Sequence, residues 1–147
     1  MKLDYSEKSP DTHKATIASG KYSILQEIEQ SINDIVDIEF DWEGKGFEKP
    51  SSETLSDAID LMKSLLLQIY LNNDLWSKWF DPFIYSNEVG YICIGWHHED
   101  KALHFRIKNN DMNYRKIWSS SGKTKSEKKQ LNLQNCISLW KWLIKTL

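Results

Sequence analysis

The sequence predicts an α+β domain in which an antiparallel β-meander of about four strands packs against two N-terminal helices and one C-terminal helix. Three observations lead to this prediction: two apolar stripes at helical spacing in the first half of the chain, a run of short apolar stretches separated by turn residues, and a third helical stripe at the end. A chain of 147 residues is long enough to bury one core. We therefore expect residues 21–147 to form a single domain.

The first helix is preceded by a polar segment. Residues 1–20 mix lysine, aspartate, serine, threonine and Pro10 without regular apolar spacing, which predicts a flexible leader. Ser23 and Gln26 match a capping box, so we expect the first helix to begin at Ser23 and to run to about Asp37. Its apolar face comprises Ile24, Leu25, Ile28, Ile32, Ile35 and Val36.

A second helix is predicted after Pro50, because Ser51 and Ser52 can each serve as its N-cap. Its apolar face comprises Leu55, Ala58, Ile59, Met62, Leu66 and Ile69. The stripe near the C-terminus comprises Leu133, Cys136, Ile137, Trp140, Leu143 and Ile144. All three faces are suited to burial against one side of a sheet.

Short strands separated by turns are predicted between the second and third helices. They span Phe83–Tyr85, Val89–His97, Ala102–Lys108 and Met112–Ser119. Residues 119–130 are rich in lysine and lack an apolar pattern, so we predict a loop there.

The two central strands specify their own register. Pairing His97 with Ala102 brings apolar residues opposite one another: Trp96 with Leu103, Ile94 with Phe105, and Ile92 with Ile107. A slip by one residue would expose all of these side chains. The same register leaves the other face to Tyr91, Cys93, His97, His104, Arg106 and Lys108.

One segment of the chain resembles a group of small uncharacterised bacterial proteins. The likeness rests on Asp41-Trp42-Glu43-Gly44-x-Gly46, on the run Pro50–Thr54, and on a strand ending in Trp96. It covers residues 35–118, departs at Phe47, where the group has alanine, and has a glycine missing at the Asn87-Glu88 turn. The resemblance implies the same architecture and transfers no activity.

The motifs of catalysis and of cofactor binding are incomplete. Ser121–Thr124 looks like the end of a phosphate-binding loop, but Ile117 stands where that loop needs glycine. Cys93, His97 and His104 share a strand face, yet a fourth zinc ligand is not evident. No nucleophile lies in a triad-like pattern. We therefore predict a protein that is not an enzyme and that carries no metal or cofactor.

The distribution of charge is strongly asymmetric. Residues 1–100 carry 8 basic and 19 acidic side chains, a net charge of −11, whereas residues 101–147 carry 11 basic and 2 acidic side chains, a net charge of +9. Opposite patches of this kind steer charged partners, unless the fold brings them together and cancels them. The sequence has no run of eighteen apolar residues and no signal-peptide pattern, so we expect a cytoplasmic protein.

The first hypothesis from these features is that the chain is a protein-binding module. Examples are an inhibitor, antitoxin, immunity or anti-defence protein of bacterial or phage origin. It would block the functional surface of a partner such as a nuclease, a toxin or a nucleoprotein complex. The seven tryptophans favour it, because large rings anchor protein interfaces. The predicted contacts are an acidic loop and an aromatic patch, comprising Asp37, Glu39, Asp41, Trp42, Glu43, Trp76, Trp79 and Phe80.

The alternative hypothesis is an accessory protein that binds single-stranded nucleic acid. Rings on the basic sheet face would stack on bases, and cations there and in the lysine-rich segment would meet phosphates. The overall pI of about 6.1 and the absence of a common RNA-binding motif argue against it. The predicted contacts are Tyr91, His104, Arg106, Lys108, Lys123 and Lys125.

Overall fold

The computed structural model describes residues 10–37, 44 and 46–145, with side chains from Ser23 onward except that of Asp37. It confirms the α+β class. The elements in chain order are helices α1 (Pro10–Asp37), α2 (Ser52–Tyr70) and α3 (Asn73–Ser77), strands β1 (Phe83–Ser86), β2 (Ile92–His98), β3 (Lys101–Lys108), β4 (Asp111–Ser120) and β5 (Lys123–Gln130), and helix α4 (Cys136–Ile144).

Helix α1 begins at Pro10 rather than at Ser23. The predicted capping box at Ser23 is therefore wrong, because the helix passes through it. Proline is favoured at the first helical position, where its missing N–H needs no partner, and this signal was overlooked. Residues 10–20 of the predicted leader are helical, and residues 1–9 lie outside the described residues. The flexibility of the leader stays a prediction.

Helix α2 begins as predicted, with Ser51 as its N-cap. The Ser51 side chain accepts a hydrogen bond from the backbone N–H of Thr54. Thr54 is fully buried, and its hydroxyl accepts a hydrogen bond of 2.8 Å from the backbone N–H of Asn109. Because Asn109 lies in the turn between β3 and β4, this contact fixes the start of α2 to the sheet. The short helix α3, capped by Asn72, was not predicted.

The sheet is an antiparallel meander in which the strand order follows the chain order, β1-β2-β3-β4-β5. The predicted register of the two central strands is confirmed: the Cα partners are Trp96 with Leu103, Ile94 with Phe105, and Ile92 with Ile107. All six side chains are essentially buried.

The predicted lysine-rich loop is wrong, because most of it forms the fifth strand. β5 pairs with β4 along its whole length. The turn between them consists of Ser121 and Gly122, with φ angles of 53° and 75°. Two consecutive residues with positive φ form the type of turn that closes a tight hairpin.

The core lies between the helices and one face of the sheet. Ile32 of α1, Leu65 of α2 and Trp140 of α4 are fully buried together with Phe105 and the rest of that sheet face. The Lys101 amine donates hydrogen bonds to the carbonyls of Trp142 and Lys145, which anchors the end of α4 to β3. Within the described ranges, none of the helices has the length and apolar content needed to cross a membrane.

A candidate binding face on the sheet

Among the described residues, the helices cover one side of the sheet. The opposite side, which we call the open face, is built from alternate residues of all five strands. Its larger side chains are exposed or half-buried. They are Phe83, Tyr85, Tyr91, His97, His104, Arg106, Lys108, Arg115 and Lys128.

Aromatic rings form a cluster at the β1 end of the open face. Phe83 stacks on Tyr85, with centroids 6.0 Å apart and planes 20° apart. It also lies 5.1 Å from the ring of His97 and 5.5 Å from the ring of His104. Phe83 keeps 39% and Tyr85 44% of its surface exposed. The cluster therefore presents two accessible ring surfaces to solvent.

Gly95 makes room for this cluster. The register pairs Phe83 with Gly95, and the Phe83 ring lies directly over the glycine. A Cβ atom at Gly95 would lie 2.4 Å from Cζ of Phe83, which is too close for two carbon atoms. The missing side chain at Gly95 is thus what allows the phenyl ring to approach the strand this closely.

Cations follow the rings across the sheet. The Arg106 guanidinium lies 4.8 Å from the centroid of the Tyr91 ring, within cation–π range. The Tyr91 hydroxyl donates a hydrogen bond to Asp111. Arg115 and Lys128 are cross-strand partners, and both side chains are exposed. The open face therefore changes from aromatic at β1 to cationic at β4 and β5.

Acidic groups near the open face are already paired. The Glu48 carboxylate forms an ion pair with Lys108, whose Nζ lies 2.9 Å from Oε2 of Glu48. The Asp111 carboxylate accepts the hydrogen bond from the Tyr91 hydroxyl. Among the described residues, no ion pair with a carboxylate involves Arg106, Arg115 or Lys128. These three cations remain available to an anionic ligand.

Burial shifts the pKa values of His104 and Cys93 on this face toward their uncharged forms. Burial, with the neighbouring His97 and Arg115, lowers the pKa of His104 below its ordinary value of 6.5. Burial also raises the pKa of the Cys93 thiol, in spite of the nearby Arg106. The imidazole of His104 is therefore neutral and the Cys93 thiol protonated at neutral pH, so His104 acts here as a flat ring and Cys93 as a small buried group.

The residues predicted for nucleic-acid binding are divided between the two sides of the sheet. Tyr91, His104, Arg106 and Lys108 come together on the open face. Lys125 pairs with Trp118 and Lys123 with Ser120, which puts both lysines on the side that carries the helices. The sequence could not reveal this division while residues 119–130 were interpreted as a loop.

The residues predicted for protein binding belong to two different environments. Glu39, Asp41, Trp42 and Glu43, and the side chain of Asp37, lie outside the described residues. Trp76, Trp79 and Phe80 are half-buried and pack against the core.

Each of these three rings makes specific contacts in the interior. Trp79 stacks on the buried Trp140, with centroids 5.7 Å apart. The Phe80 ring lies 6.3 Å from the ring of Trp140, and the Phe80 backbone carbonyl accepts a hydrogen bond from the Trp96 indole. Trp76 lies edge-on to Tyr70. The fold itself thus accounts for this aromatic patch.

Sequence reasoning missed Phe83 and Tyr85 of the open face, and it did not bring Arg115 together with Lys128, which it counted among the cations of the lysine-rich segment. A signal was available for the first pair, since Phe83 and Tyr85 alternate with Ile84 in a predicted strand and must share a face. The second pair depends on the β4–β5 hairpin, which the sequence analysis did not predict.

Comparison of the chain with models of protein families, with curated proteins and with solved structures finds no match. The resemblance to the small bacterial group stays a prediction from the sequence. The function is therefore inferred below from the residues of the chain and their contacts.

Proposed function

We propose that this chain is a non-enzymatic binding module that takes single-stranded nucleic acid on the open face of its sheet. The observation that carries the proposal is the exposed stack of Phe83 and Tyr85, which shares one continuous face with unpaired cations on the neighbouring strands. Bases stack on aromatic side chains, and Arg and Lys meet the phosphates between them.

The dimensions of the face fit a short strand. Five strands spaced by about 4.8 Å put β1 and β5 roughly 19 Å apart. This distance suits a site at the small end of the range of about 4–16 nucleotides that is typical of single-strand-binding sheets. Bases over Phe83 and Tyr85 would leave their phosphates directed toward Arg106 and Arg115.

The first experiment measures binding of a fluorescently labelled twelve-nucleotide single strand by anisotropy at several salt concentrations. We expect Arg115→Ala with Lys128→Ala to weaken binding and to reduce the slope of log K against log salt by about 1.4, because each phosphate contact contributes about 0.7. Lys141→Ala with Lys145→Ala is the matched control, since it removes the same charge from α4 and its C-cap. Absence of binding at low salt would exclude the proposal. The same slope of log K against log salt in the open-face variant and the control variant would also exclude it.

A second variant tests the stacking contribution separately from charge. Tyr85→Ala removes an exposed ring, and we expect it to weaken binding by about 1–3 kcal/mol with no change in the salt slope. Leu71→Ala is the control, because Leu71 is 81% exposed and is the C-cap of α2, a helix that packs on the other side of the sheet. Equal affinities of Tyr85→Ala and the parent protein would contradict base stacking at this position.

A protein partner is the second candidate function, with the chain acting as an inhibitor, antitoxin, immunity or anti-defence protein. The separation of charge between the two layers favours it. The side chains described on α1 and α2 include Glu27, Glu29, Asp34, Glu53, Asp57 and Asp60 against Lys63, while the sheet is predominantly basic. An acidic helical layer of this kind can cover a basic surface of a nuclease, a toxin or a nucleoprotein complex.

The two candidates differ in the surface that a partner needs. The experiment compares affinity capture from the native cells with three tagged proteins. They are the parent, the helical variant Glu53→Lys with Asp60→Lys, and the open-face variant Arg115→Ala with Lys128→Ala. The protein hypothesis expects a stoichiometric protein that is lost only with the helical variant. Recovery of no such protein, or its loss only with the open-face variant, would refute binding through the acidic layer.

A further inference from the structure

Strand β5 has the features of an edge that accepts another strand. It is the last strand of the sheet, so one side of its backbone has no partner strand among the described residues. It runs for eight residues without proline or interruption of its register with β4. Unpaired backbone N–H and C=O groups on an edge of this length are a template for strand addition.

The opposite edge of the sheet is less suitable. Strand β1 has only four residues. Residues Glu27, Ile28 and Ser31 of α1 line a common cavity with Pro82 and Ile84, so the helix lies against this end of the sheet. Of the two edges in the described structure, β5 is therefore the longer and more accessible.

The charge on β5 selects the kind of strand that can add. Lys123, Lys125 and Lys129 lie on one side of the strand and Lys128 on the other, and all four are exposed. The one carboxylate of the strand, Glu127, is engaged by the Tyr114 hydroxyl and by two lysine amines. Lysines on an edge repel a second copy of the same strand, and the same charge attracts an acidic one.

We propose that β5 binds an extended acidic segment of a partner protein by β-strand addition, which lengthens the sheet to six strands. Backbone hydrogen bonds to the free edge would supply affinity, and carboxylates at alternate positions of the segment would pair with Lys123 and Lys125, whereas Lys129 already pairs with Glu127. This surface is distinct from the open face, so the inference stands or falls separately from nucleic-acid binding.

The test uses a synthetic peptide with blocked ends and the sequence Glu-Thr-Glu-Val-Glu-Thr-Glu-Val, added to the full-length, isotopically labelled protein. We expect saturable binding, slower hydrogen exchange of the β5 amides, and no comparable change at β1. A second peptide of the same sequence carries an N-methyl group on every backbone amide, which removes the hydrogen-bond donors of both strand edges and keeps the charge. We expect this peptide not to bind as a strand and not to protect β5.

A charge variant completes the design. Lys123→Glu with Lys125→Glu is expected to weaken binding of the acidic peptide by about 2- to 30-fold, since each exposed ion pair contributes about 0.2–1 kcal/mol. Lys141→Glu with Lys145→Glu, on α4 and at its C-cap, is the matched control and is expected to bind normally.

Several results would overturn the inference. They are failure of the acidic peptide to bind, equal protection of β5 by the N-methylated peptide, protection confined to another strand, and protection of β5 by the single-stranded oligonucleotide in place of the peptide.

Discussion

The substitution Gly95→Ala tests whether the missing side chain at Gly95 is what allows the Phe83 ring to pack against strand β2. An alanine Cβ would lie 2.4 Å from Cζ and 2.5 Å from Cε2 of the Phe83 ring. Gly95 lies within the regular strand β2, whose backbone alanine also adopts. We therefore expect the ring to leave its position while the strand remains intact.

Two opposing contributions set the size of the effect. Full burial of a phenylalanine side chain stabilises a protein by about 1.5–3 kcal/mol. Because Phe83 keeps 39% of its surface exposed, releasing its ring would cost about 1–2 kcal/mol. Alanine in a strand recovers about 0.5–1 kcal/mol relative to glycine. The expected net loss in the free energy of unfolding is about 0–1.5 kcal/mol.

Urea denaturation of four proteins measures this coupling: the parent, Gly95→Ala, Phe83→Ala and the double variant. Once the ring has been removed, alanine at Gly95 has nothing to collide with, and we expect it to stabilise the protein by about 0.5–1 kcal/mol. The sign of the Gly95→Ala effect should thus reverse between the two backgrounds. An equal loss in both would show that the collision with Phe83 is not the cause.

Three further predictions concern the contacts of Thr54 and Trp79 and the protonation of His104. Thr54→Val leaves the backbone N–H of Asn109 without its acceptor, and urea denaturation should show a loss of about 1–3 kcal/mol. Trp79→Ala removes the ring stacked on Trp140 and should cost close to the lower end of about 3–5 kcal/mol; a change within the roughly 0.5 kcal/mol typical of surface positions would contradict its role in the core. Burial lowers the pKa of His104 in the folded state, so the unfolded state binds the proton first and the free energy of unfolding should fall as pH drops below 6.5. His104→Asn should flatten this pH dependence, and an unchanged slope would refute the assignment to His104.

The register of the two central strands was predictable because a single choice buries every large apolar side chain. Shifting Trp96 away from Leu103 by one residue would expose both strands' apolar residues, so the alternation of residue types leaves one solution. The α2 N-cap was predictable for a similar reason, because proline followed by serine restricts where the helix begins. Local chemistry therefore determined these elements without tertiary information.

Strand β5 was not predictable from hydrophobic alternation, because Lys123–Gln130 contains no apolar residue. Both faces of this edge strand are largely exposed, so burial imposes no pattern on its sequence. The only local signal was the dipeptide Ser121-Gly122, which is a turn-forming pair. Arg115 and Lys128 of the open face could not be recognised as neighbours without this hairpin.

The meander also has a consequence for the order in which the chain folds. Two-residue loops join β2 to β3, β3 to β4 and β4 to β5. Pairing of these strands therefore costs little loop-closure entropy. The bond from Asn109 to Thr54 instead closes a separation of 55 residues. We expect substitutions in the tight turns to change mainly the folding rate, whereas Thr54→Val should change mainly the unfolding rate.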